Sequence, residues 1–409
     1  MRMVDTEYSA PRELLRTQTL ALIVGIVGLV LLLLGAFLPE ELLGGTEQFW
    51  RSYLMGWTYW TGVALGSLGV LMIQHLSGGV WGATLRRFLE AAALTIPVMG
   101  VLFVPLALLG LPYVYEWTDP AFMRESEILS QKTGYLNTPF FLIRMLAYFV
   151  IWSVLAVLLH RWSSRLDRTG DYDYASRQAR LSGPGMVLYA ITMTLFTVDV
   201  LLSLDAEFFS TMWGPLVTLS MILAAFALMI VILSFLTVRG PLSQVVSGEH
   251  FLDVGKLLLA FTIVWTYLSF SQFLIIYSGN LPTEAQWYVT RLQGGWEWVG
   301  LALLVFQFIL PFLLLLSRGL KRDPRMLVRV ALLAFLMQYV NIIWLTVPNW
   351  HRDGFYLSWM DLVAPIAFGG IFLMLFTAIL RARPLLPLHV VPRRHPRART
   401  YTEAQHAGQ

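Results

Sequence analysis

Two ionisable side chains interrupt apolar stretches of the sequence in a way that predicts a buried ion pair. Arg144 and Asp199 each lie inside a run of about twenty apolar residues. The two runs flank the polar segment 162–181, and both residues are equally far from its centre. In an antiparallel helical hairpin they then share one depth, about 7 Å below the nearer surface at 1.5 Å per residue. Because either charge would be costly there without a partner, the sequence predicts that they pair.

Further polar residues accompany Asp199 on the same predicted helix. Thr192 and Ser203 share its face, at spacings of seven and four residues. Asp205 and Glu207 follow where this helix ends. Together with the ion pair, these residues are candidates for an acidic, hydrated proton outlet. A salt bridge that only locks the hairpin is the alternative that the residues leave open.

A second polar stripe is predicted on one helix between residues 253 and 271. Lys256 follows Asp253 by three residues, and Tyr267 follows Lys256 by eleven, which is three turns plus about 20°. Ser271 comes four residues later. The stripe predicts an inner proton route that reaches past the middle of the membrane. Its alternative is a snorkelling lysine with packed hydroxyl groups.

His75 and Glu90 are candidates for a second inner entrance for protons. They lie at one level on either side of a short connection centred near residue 82. A histidine beside a carboxylate suits proton uptake, because its charge changes near neutral pH. Interfacial side chains that contact lipid headgroups are the alternative.

Amide side chains predict a polar layer near the middle of the membrane. Gln307 and Gln338 are equally far from a connection centred near residue 322, and Asn341 is one turn from Gln338. Tyr267 falls at the same predicted level, and Gln272 is a further candidate. Amides can orient water or a quinone carbonyl, and they can equally well join helices to each other.

The elements that must position these residues are membrane-spanning helices. Of the 409 residues, 57% are hydrophobic and 13% are charged, whereas a soluble domain has about 25% charged residues. This excludes a disordered chain, a nucleic-acid binder and an ordinary soluble enzyme. A bilayer core needs about 20 apolar residues per helix. Ten runs reach this length, at about 18–38, 53–75, 89–111, 139–161, 182–204, 211–238, 254–278, 295–318, 326–347 and 358–380.

The basic residues predict the orientation of these ten spans. With a cytoplasmic N-terminus, 23 of the 29 Lys and Arg residues lie on the inner side and five on the outer side. This is the bias of the positive-inside rule. We therefore expect an all-α polytopic membrane protein with both termini inside. It divides into a cytoplasmic segment 1–17, a ten-helix domain 18–382 and a Pro/Arg-rich cytoplasmic tail 383–409.

Missing residue types limit the chemistry that this chain can perform. It has no cysteine, so no disulfide, thiolate zinc site, iron–sulfur cluster or covalently attached haem c can form within it. Of the seven histidines, only His75 and His160 fall at ends of predicted spans, which argues against a membrane haem. The sequence predicts no metal and no resident redox cofactor in this chain, leaves a quinone or quinol ligand possible, and predicts that the chain is not an independent enzyme.

Several polar motifs carry a resemblance to a known family. These segments resemble the F subunits (ActF) of bacterial Alternative Complex III, which are membrane subunits of the NrfD/PsrC-like kind. The resemblance covers about residues 50–388, and its most specific run is 270–282. The segments are Leu181–Gly185, Asp199–Asp205, His250–Leu258, Phe270–Pro282 and Gly294–Trp298.

The resemblance implies both a fold and a function. The fold would be two four-helix bundles plus two flanking helices. The function would be that of a cofactor-free subunit in a quinol:electron-acceptor oxidoreductase of a respiratory or photosynthetic chain, located in the bacterial cytoplasmic membrane. Its partners would be a related ten-helix C subunit, an iron–sulfur protein and haem c subunits. The implied role is proton conduction, interaction with the quinone pool, or both.

One departure from the family and two other classes of function remain in view. Gln338 and Asn341 stand where the family pattern has an arginine and an aspartate, which weakens any proton relay through that span. A secondary transporter would favour paired broken helices in two halves, and Pro97 and Pro105 have no equivalent pair. A purely structural scaffold subunit would keep its polar stripes dry.

Overall fold

The computed structural model describes residues 13–39, 42, 44–238 and 241–385, and this part of the chain is helical without a strand. The predicted all-α class is therefore confirmed for the described residues. Most of the predicted N-terminal segment, Arg239 and the predicted tail from residue 386 onward lie outside them.

The helices follow one another through short connections. A π-helical segment, Leu106–Gly110, joins α4 to α5, and another, Leu303–Ile309, joins α12 to α13. The α-helices are α1 (Glu13–Gly35), α2 (Thr46–Ser77), α3 (Val80–Ala93), α4 (Ile96–Pro105), α5 (Leu111–Val114), α6 (Glu127–Lys132), α7 (Thr138–Thr169), α8 (Asp173–Val200), α9 (Trp213–Val238), α10 (Gly248–Gly279), α11 (Pro282–Arg291), α12 (Trp296–Ala302), α13 (Leu310–Leu316), α14 (Arg318–Arg322), α15 (Pro324–Trp350) and α16 (Trp359–Arg381).

Nine helical stretches in the described residues are long and apolar enough to cross a membrane, which gives the chain the character of a multi-pass helical membrane protein. They match nine of the ten predicted runs. The remaining run, 53–75, falls within α2, a helix of 32 residues that is not among the nine. The nine stretches are Leu14–Gly35, Trp81–Val114, Thr138–Thr169, Asp173–Leu204, Trp213–Val238, Gly248–Gly279, Trp296–Leu316, Pro324–Trp350 and Trp359–Arg381.

Helix α2 lies in the interior, packed against α3, α8, α9 and α16. Its polar aromatic side chains find partners on its neighbours. The Trp57 indole donates to the Met99 carbonyl at 2.8 Å, and the Trp60 indole donates to the Pro365 carbonyl at 2.7 Å. Gly66 allows close contact, because a Cβ there would lie 2.4 Å from the Met221 carbonyl oxygen. A helix that is buried all round can thus carry more polar groups than one that faces lipid.

Small residues also bring α1 against α16 at the edge of the bundle. A Cβ on Gly370 would lie 2.4 Å from the backbone nitrogen of Gly25, and a Cβ on Gly28 would lie 2.7 Å from Ala367 Cβ. The rest of α1 exposes apolar side chains such as Leu20 and Ile23. This is the packing expected of a flanking helix in lipid, where close backbone contact drives association.

Candidate functional site

The loop at residues 170–172 joins α7 and α8 into the predicted antiparallel hairpin, and it brings Arg144 and Asp199 together. Arg144 Nε donates to Asp199 Oδ2 at 3.0 Å, and Arg144 Nη2 donates to Asp199 Oδ1 at 2.8 Å. Asp199 is fully buried and Arg144 is 7% exposed. The predicted ion pair, which we call the hairpin pair, is confirmed as a bidentate contact, the strong geometry for an arginine and a carboxylate.

Neighbouring groups add further hydrogen bonds to the hairpin pair. The Tyr148 hydroxyl donates to Asp199 Oδ2 at 2.9 Å, and Arg144 Nη1 donates to the Tyr135 carbonyl at 2.9 Å. The guanidinium lies 3.8 Å from the centre of the Tyr135 ring. Burial, and then the Asp199 charge, raise the pKa of Tyr135 to about 12, so its hydroxyl stays protonated at neutral pH.

A polar column runs along the buried face of α8. It consists of Gln178, Ser182, Tyr189, Thr192 and Asp199, all buried. Their spacings of four, seven, three and seven residues place them on one helical face. From Gln178 to Asp199 the column is about 31 Å long at 1.5 Å per residue, which is the thickness of a bilayer core.

Each member of the column contacts a neighbouring helix. At the Asp199 end, the Trp152 indole donates to Thr192 Oγ1 at 2.9 Å, and the Tyr189 hydroxyl donates to the Leu65 carbonyl at 3.0 Å. At the other end, Gln178 Nε2 donates to the Leu159 carbonyl at 2.9 Å. Ser203, predicted to share this face, donates to the Asp199 backbone carbonyl at 2.6 Å. The column therefore links α8 to α2 and α7.

The predicted direct pairing of His75 with Glu90 is wrong. His75 Nδ1 instead contacts Ser182 Oγ at 3.0 Å, so the histidine joins the polar column. Glu90 is occupied by arginines, since Arg86 Nε reaches its Oε1 at 3.0 Å and Arg87 Nη1 reaches its Oε2 at 3.0 Å. The depth argument placed both residues at the same end of the helices, but guanidinium groups compete better for a buried carboxylate.

Glu90 is the centre of an arginine cluster that the sequence did not predict. The cluster consists of Arg86, Arg87, Glu90, Asp167 and Arg383. Arg383 Nη1 contacts Glu90 Oε2 at 3.2 Å, and Asp167 contacts both Arg87 and Arg383. Three cations thus share two carboxylates. Arg86 also donates to Gln178 Oε1, which joins the cluster to the end of the polar column.

A small cavity of about 10 Å³ opens at the arginine cluster. It is lined by Arg87, Glu90 and Arg383, by His160 and by apolar side chains of the α16 end. This is room for about one water with several polar partners. Burial and the neighbouring Arg87 lower the pKa of Arg383, which lies beyond the end of α16.

The stripe on α10 lies on the outward face of this chain. Asp253 and Lys256 form an ion pair at 3.0 Å, with 46% and 57% of the side chains exposed. Tyr267 is 65% exposed and Ser271 is partly exposed. These residues share a face as predicted, but that face is exposed, so they do not line an internal path. The spacing of residues along one helix does not show which way the shared face points.

The amide residues of the predicted layer lie in the interior, whereas Tyr267 is exposed. Gln307, Gln338 and Asn341 are buried, and Asn341 Nδ2 donates to Ser220 Oγ at 3.4 Å. Gln338 and Asn341 line a cavity of about 10 Å³ together with Ser220. Within the described chain, both amide atoms of Gln307 and of Gln338 lack a hydrogen-bond partner. In that cavity, Gln338 and Asn341 can therefore hold a water molecule.

The candidates near the ends of the spans have local partners. Gln272 is buried, and within the described chain its Oε1 has no hydrogen-bond partner. Asp205 Oδ1 accepts from the Phe208 backbone at 3.3 Å in the loop beyond α8. In the same loop, Lys132 Nζ donates to the Ala206 carbonyl at 2.5 Å. Asp205 thus helps to shape the loop near the hairpin pair.

Asp361 is a second buried carboxylate that sequence reasoning missed. It accepts from Ser52 Oγ at 2.6 Å and Gln48 Nε2 at 2.8 Å, and from the Ser358 backbone at 2.9 Å. Ser358 and Asp361 form a capping box at the start of α16. The pattern of a serine followed three residues later by an acid was the available signal.

Arg291 is a buried cation whose hydrogen-bond acceptors in the described chain are all uncharged. It donates to the carbonyl oxygens of Trp344 at 3.0 Å and Leu345 at 2.8 Å, and to Asn349 Oδ1 at 2.8 Å. Its guanidinium lies 3.5 Å from the centre of the Trp287 ring. Burial lowers the pKa of Arg291 to about 9. The carbonyl groups of α15 therefore hold α11 in place through this side chain.

The fold and these contacts define a multi-pass helical membrane protein with two buried charged sites joined by a polar column. No group of three or more His, Cys, Asp or Glu residues that could hold a metal ion occurs in the part of the chain that the structure describes. In comparisons with known proteins, no family model and no curated protein matches this sequence.

Proposed function

We propose that this chain is a proton-conducting membrane subunit of a quinol:electron-acceptor oxidoreductase, of the kind represented by the F subunit of Alternative Complex III. The observation that carries the proposal is the polar column on α8. It runs from the arginine cluster to the hairpin pair and is buried along its length. Buried ionisable groups that are joined by hydroxyl and imidazole groups suit proton transfer across a membrane.

The polar side chains of the column are interrupted at two steps of seven residues, Ser182 to Tyr189 and Thr192 to Asp199. At each step about 10 Å of the path needs water. The second step carries the buried Phe196 and separates the rest of the column from the hairpin pair, which fits two half-channels. The cavity at the arginine cluster supports a hydrated start on one side. The hairpin pair, with Tyr148, supplies charged and hydroxyl groups at the other end.

The direction of this path follows from the proposed topology. We take α2 as the tenth span and both termini as cytoplasmic, on the strength of the bias in Lys and Arg. The arginine cluster then lies toward the cytoplasm and the hairpin pair toward the outer surface of the bacterial cytoplasmic membrane.

The outward face of α10 supports membership in a larger complex. Tyr267 is exposed at the middle of a helix of 32 residues, with Lys256 exposed toward one end. Polar groups that face lipid at that depth are costly. A partner such as a related C subunit would cover them, while iron–sulfur and haem c partners would carry the electrons.

The amide layer favours proton conduction over quinol oxidation in this chain. The cavity beside Gln338 and Asn341 holds about 10 Å³, whereas sites for cofactor-sized ligands have about 300–1,000 Å³. It fits a water molecule and not a quinone ring. Contact with the quinone pool would then occur at the surface of the subunit, on the outward face of α10 that carries Tyr267.

The proposal is tested by purifying the tagged chain from native membranes in mild detergent. We expect co-purification of proteins that carry iron–sulfur clusters and haem c, together with quinol-dependent electron transfer. In vesicles, Asp199→Asn should lower the number of protons released per electron. The matched control is Asp173→Asn, an exposed carboxylate on the same helix, which should leave that number unchanged.

Two outcomes would reject the proposal in different ways. If the chain purifies without redox partners, it is not a subunit of such a complex. If the partners are present but Asp199→Asn keeps both turnover and proton release, the column is dry and the chain is a structural scaffold.

A further inference from the structure

A groove of about 420 Å³ lies between the end of α9 and the start of α15, away from the hairpin pair and the arginine cluster. One part of its wall is apolar and includes Phe235 and Val328. The other part carries Ser234, Arg325 and Arg329. The groove is therefore amphipathic along its length.

The two arginines lie at the membrane surface without a counter-ion. Arg325 and Arg329 are one turn apart on α15 and exposed. Among the described residues, neither has a carboxylate within 4.0 Å, whereas nearby Arg322 pairs with Glu249 at 2.7 Å. The Asp323 carboxylate is directed to the Arg325 backbone nitrogen, at 2.8 Å, where it caps α15. Two guanidinium groups thus remain available to an external anion.

Ser234 supplies an independent sign of a ligand. Its side chain lines the groove and is 2% exposed. Within the described chain its hydroxyl has no hydrogen-bond partner, although a buried hydroxyl is normally paired. A ligand atom in the groove would satisfy it.

The position of the groove fits a molecule that is polar at one end. Val238 is the last residue of α9 and Pro324 is the first residue of α15, so the arginines lie where both spans leave the membrane. Phe235 is 52% exposed and continues the wall toward the membrane interior. A phosphate at the arginines would thus leave attached acyl chains along the apolar wall.

We propose that this groove binds an anionic membrane phospholipid. Arg325 and Arg329 bind the phosphate of the headgroup, and Ser234 donates to an ester carbonyl of the glycerol backbone. The apolar wall holds the first part of an acyl chain, which continues into the bilayer. This assignment does not depend on the proposed proton path or on a redox complex.

The test is native mass spectrometry of the purified full-length chain titrated with phosphatidylglycerol, phosphatidylcholine or inorganic phosphate. We expect retained phosphatidylglycerol adducts and much weaker binding of the other two probes. Replacing both arginines, Arg325→Gln with Arg329→Gln, should weaken phosphatidylglycerol binding by about tenfold or more. Replacing both by lysine should preserve most of it, because the charge remains.

The matched control removes the same charge elsewhere, with Arg165→Gln and Arg168→Gln at the exposed end of α7. It should bind phosphatidylglycerol like the parent chain. All of the substituted arginines are exposed, and an unchanged unfolding temperature establishes that each variant is folded. The proposal is overturned if the two glutamine variants bind equally well, if phosphatidylcholine binds as tightly, or if inorganic phosphate displaces the lipid.

Discussion

The hairpin pair and the arginine cluster both neutralise buried charges, but they use different numbers of partners. The hairpin pair joins one cation to one anion on adjacent helices, with two hydrogen bonds. The arginine cluster joins three cations to two carboxylates from α3, α7 and the residues after α16. In the hairpin pair the carboxylate has one arginine partner, whereas in the arginine cluster each carboxylate has two or more. We therefore expect the two sites to respond differently to the loss of one side chain.

The largest effect should come from breaking the hairpin pair. Arg144→Gln leaves the Asp199 carboxylate buried without its cation, which typically costs about 3–5 kcal/mol. Thermal unfolding of the detergent-solubilised chain, followed by tryptophan fluorescence, measures the loss. Arg177→Gln serves as the control, because its ion pair with Asp173 is about half exposed on each side and should contribute about 1 kcal/mol or less.

A second measurement on the hairpin pair separates pairing from packing. The double variant Arg144→Gln with Asp199→Asn removes both charges. It should be less destabilised than the sum of the two single variants, by up to about 3 kcal/mol. Strict additivity would mean that the two charges do not stabilise each other.

Loss of one arginine from the arginine cluster should have a smaller effect. In Arg86→Gln, Glu90 keeps its contacts with Arg87 and Arg383, so we expect a loss of about 1–2 kcal/mol in the same assay. Glu90→Gln removes the shared anion and should approach the cost of breaking the hairpin pair. Equal losses for Arg86→Gln and Glu90→Gln would contradict the view that the cluster has spare partners.

The smallest effect is a dependence on pH that belongs to neither charged site. Burial, and then Arg51, lower the pKa of His351 from 6.5 to about 4. The unfolded chain therefore takes up this proton first, so stability falls as the pH drops from about 6.5 to 4 and is restored above that window. Because His351 is only half-buried, we expect a contribution of about 1 kcal/mol.

Comparison of the parent chain with His351→Gln isolates this contribution. All other titratable groups are common to the two chains, so their contributions cancel in the difference. The difference in unfolding temperature between the chains should therefore change between pH 7 and pH 4.5. A constant difference across that range would show that His351 has an ordinary pKa in the folded state.

The contrast between the two sites also explains what the sequence could predict. Arg144 and Asp199 belong to consecutive helices, so counting residues from the loop fixed their relative depth. The arginine cluster joins residues from position 86 to position 383, and no local count brings Arg383 to Glu90. Arg86 and Arg87 were counted among the basic residues that predict the orientation of the spans. That count gives no information on their contacts with a carboxylate.

The direction in which a helix face points was the second property that the sequence did not reveal. The spacing of Lys256 and Tyr267 correctly placed them on one face of α10. It did not show whether that face points to the bundle interior or to lipid, because apolar residues predominate on helices in both environments. The type of fold and nine of the ten apolar runs were recovered. The central position of α2 was not, since it depends on contacts such as that of Trp60 with Pro365, which is far away in the sequence.

The burial of α2 has a consequence for how the protein is made. Trp60 on α2 finds its hydrogen-bond acceptor at Pro365, 305 residues later. The Met99 carbonyl, which accepts from Trp57, follows within the next few helices, whereas α16 is the last helix of the described chain. The interior packing of α2 can therefore be completed only after α16 has been synthesised, although α2 is the second described helix.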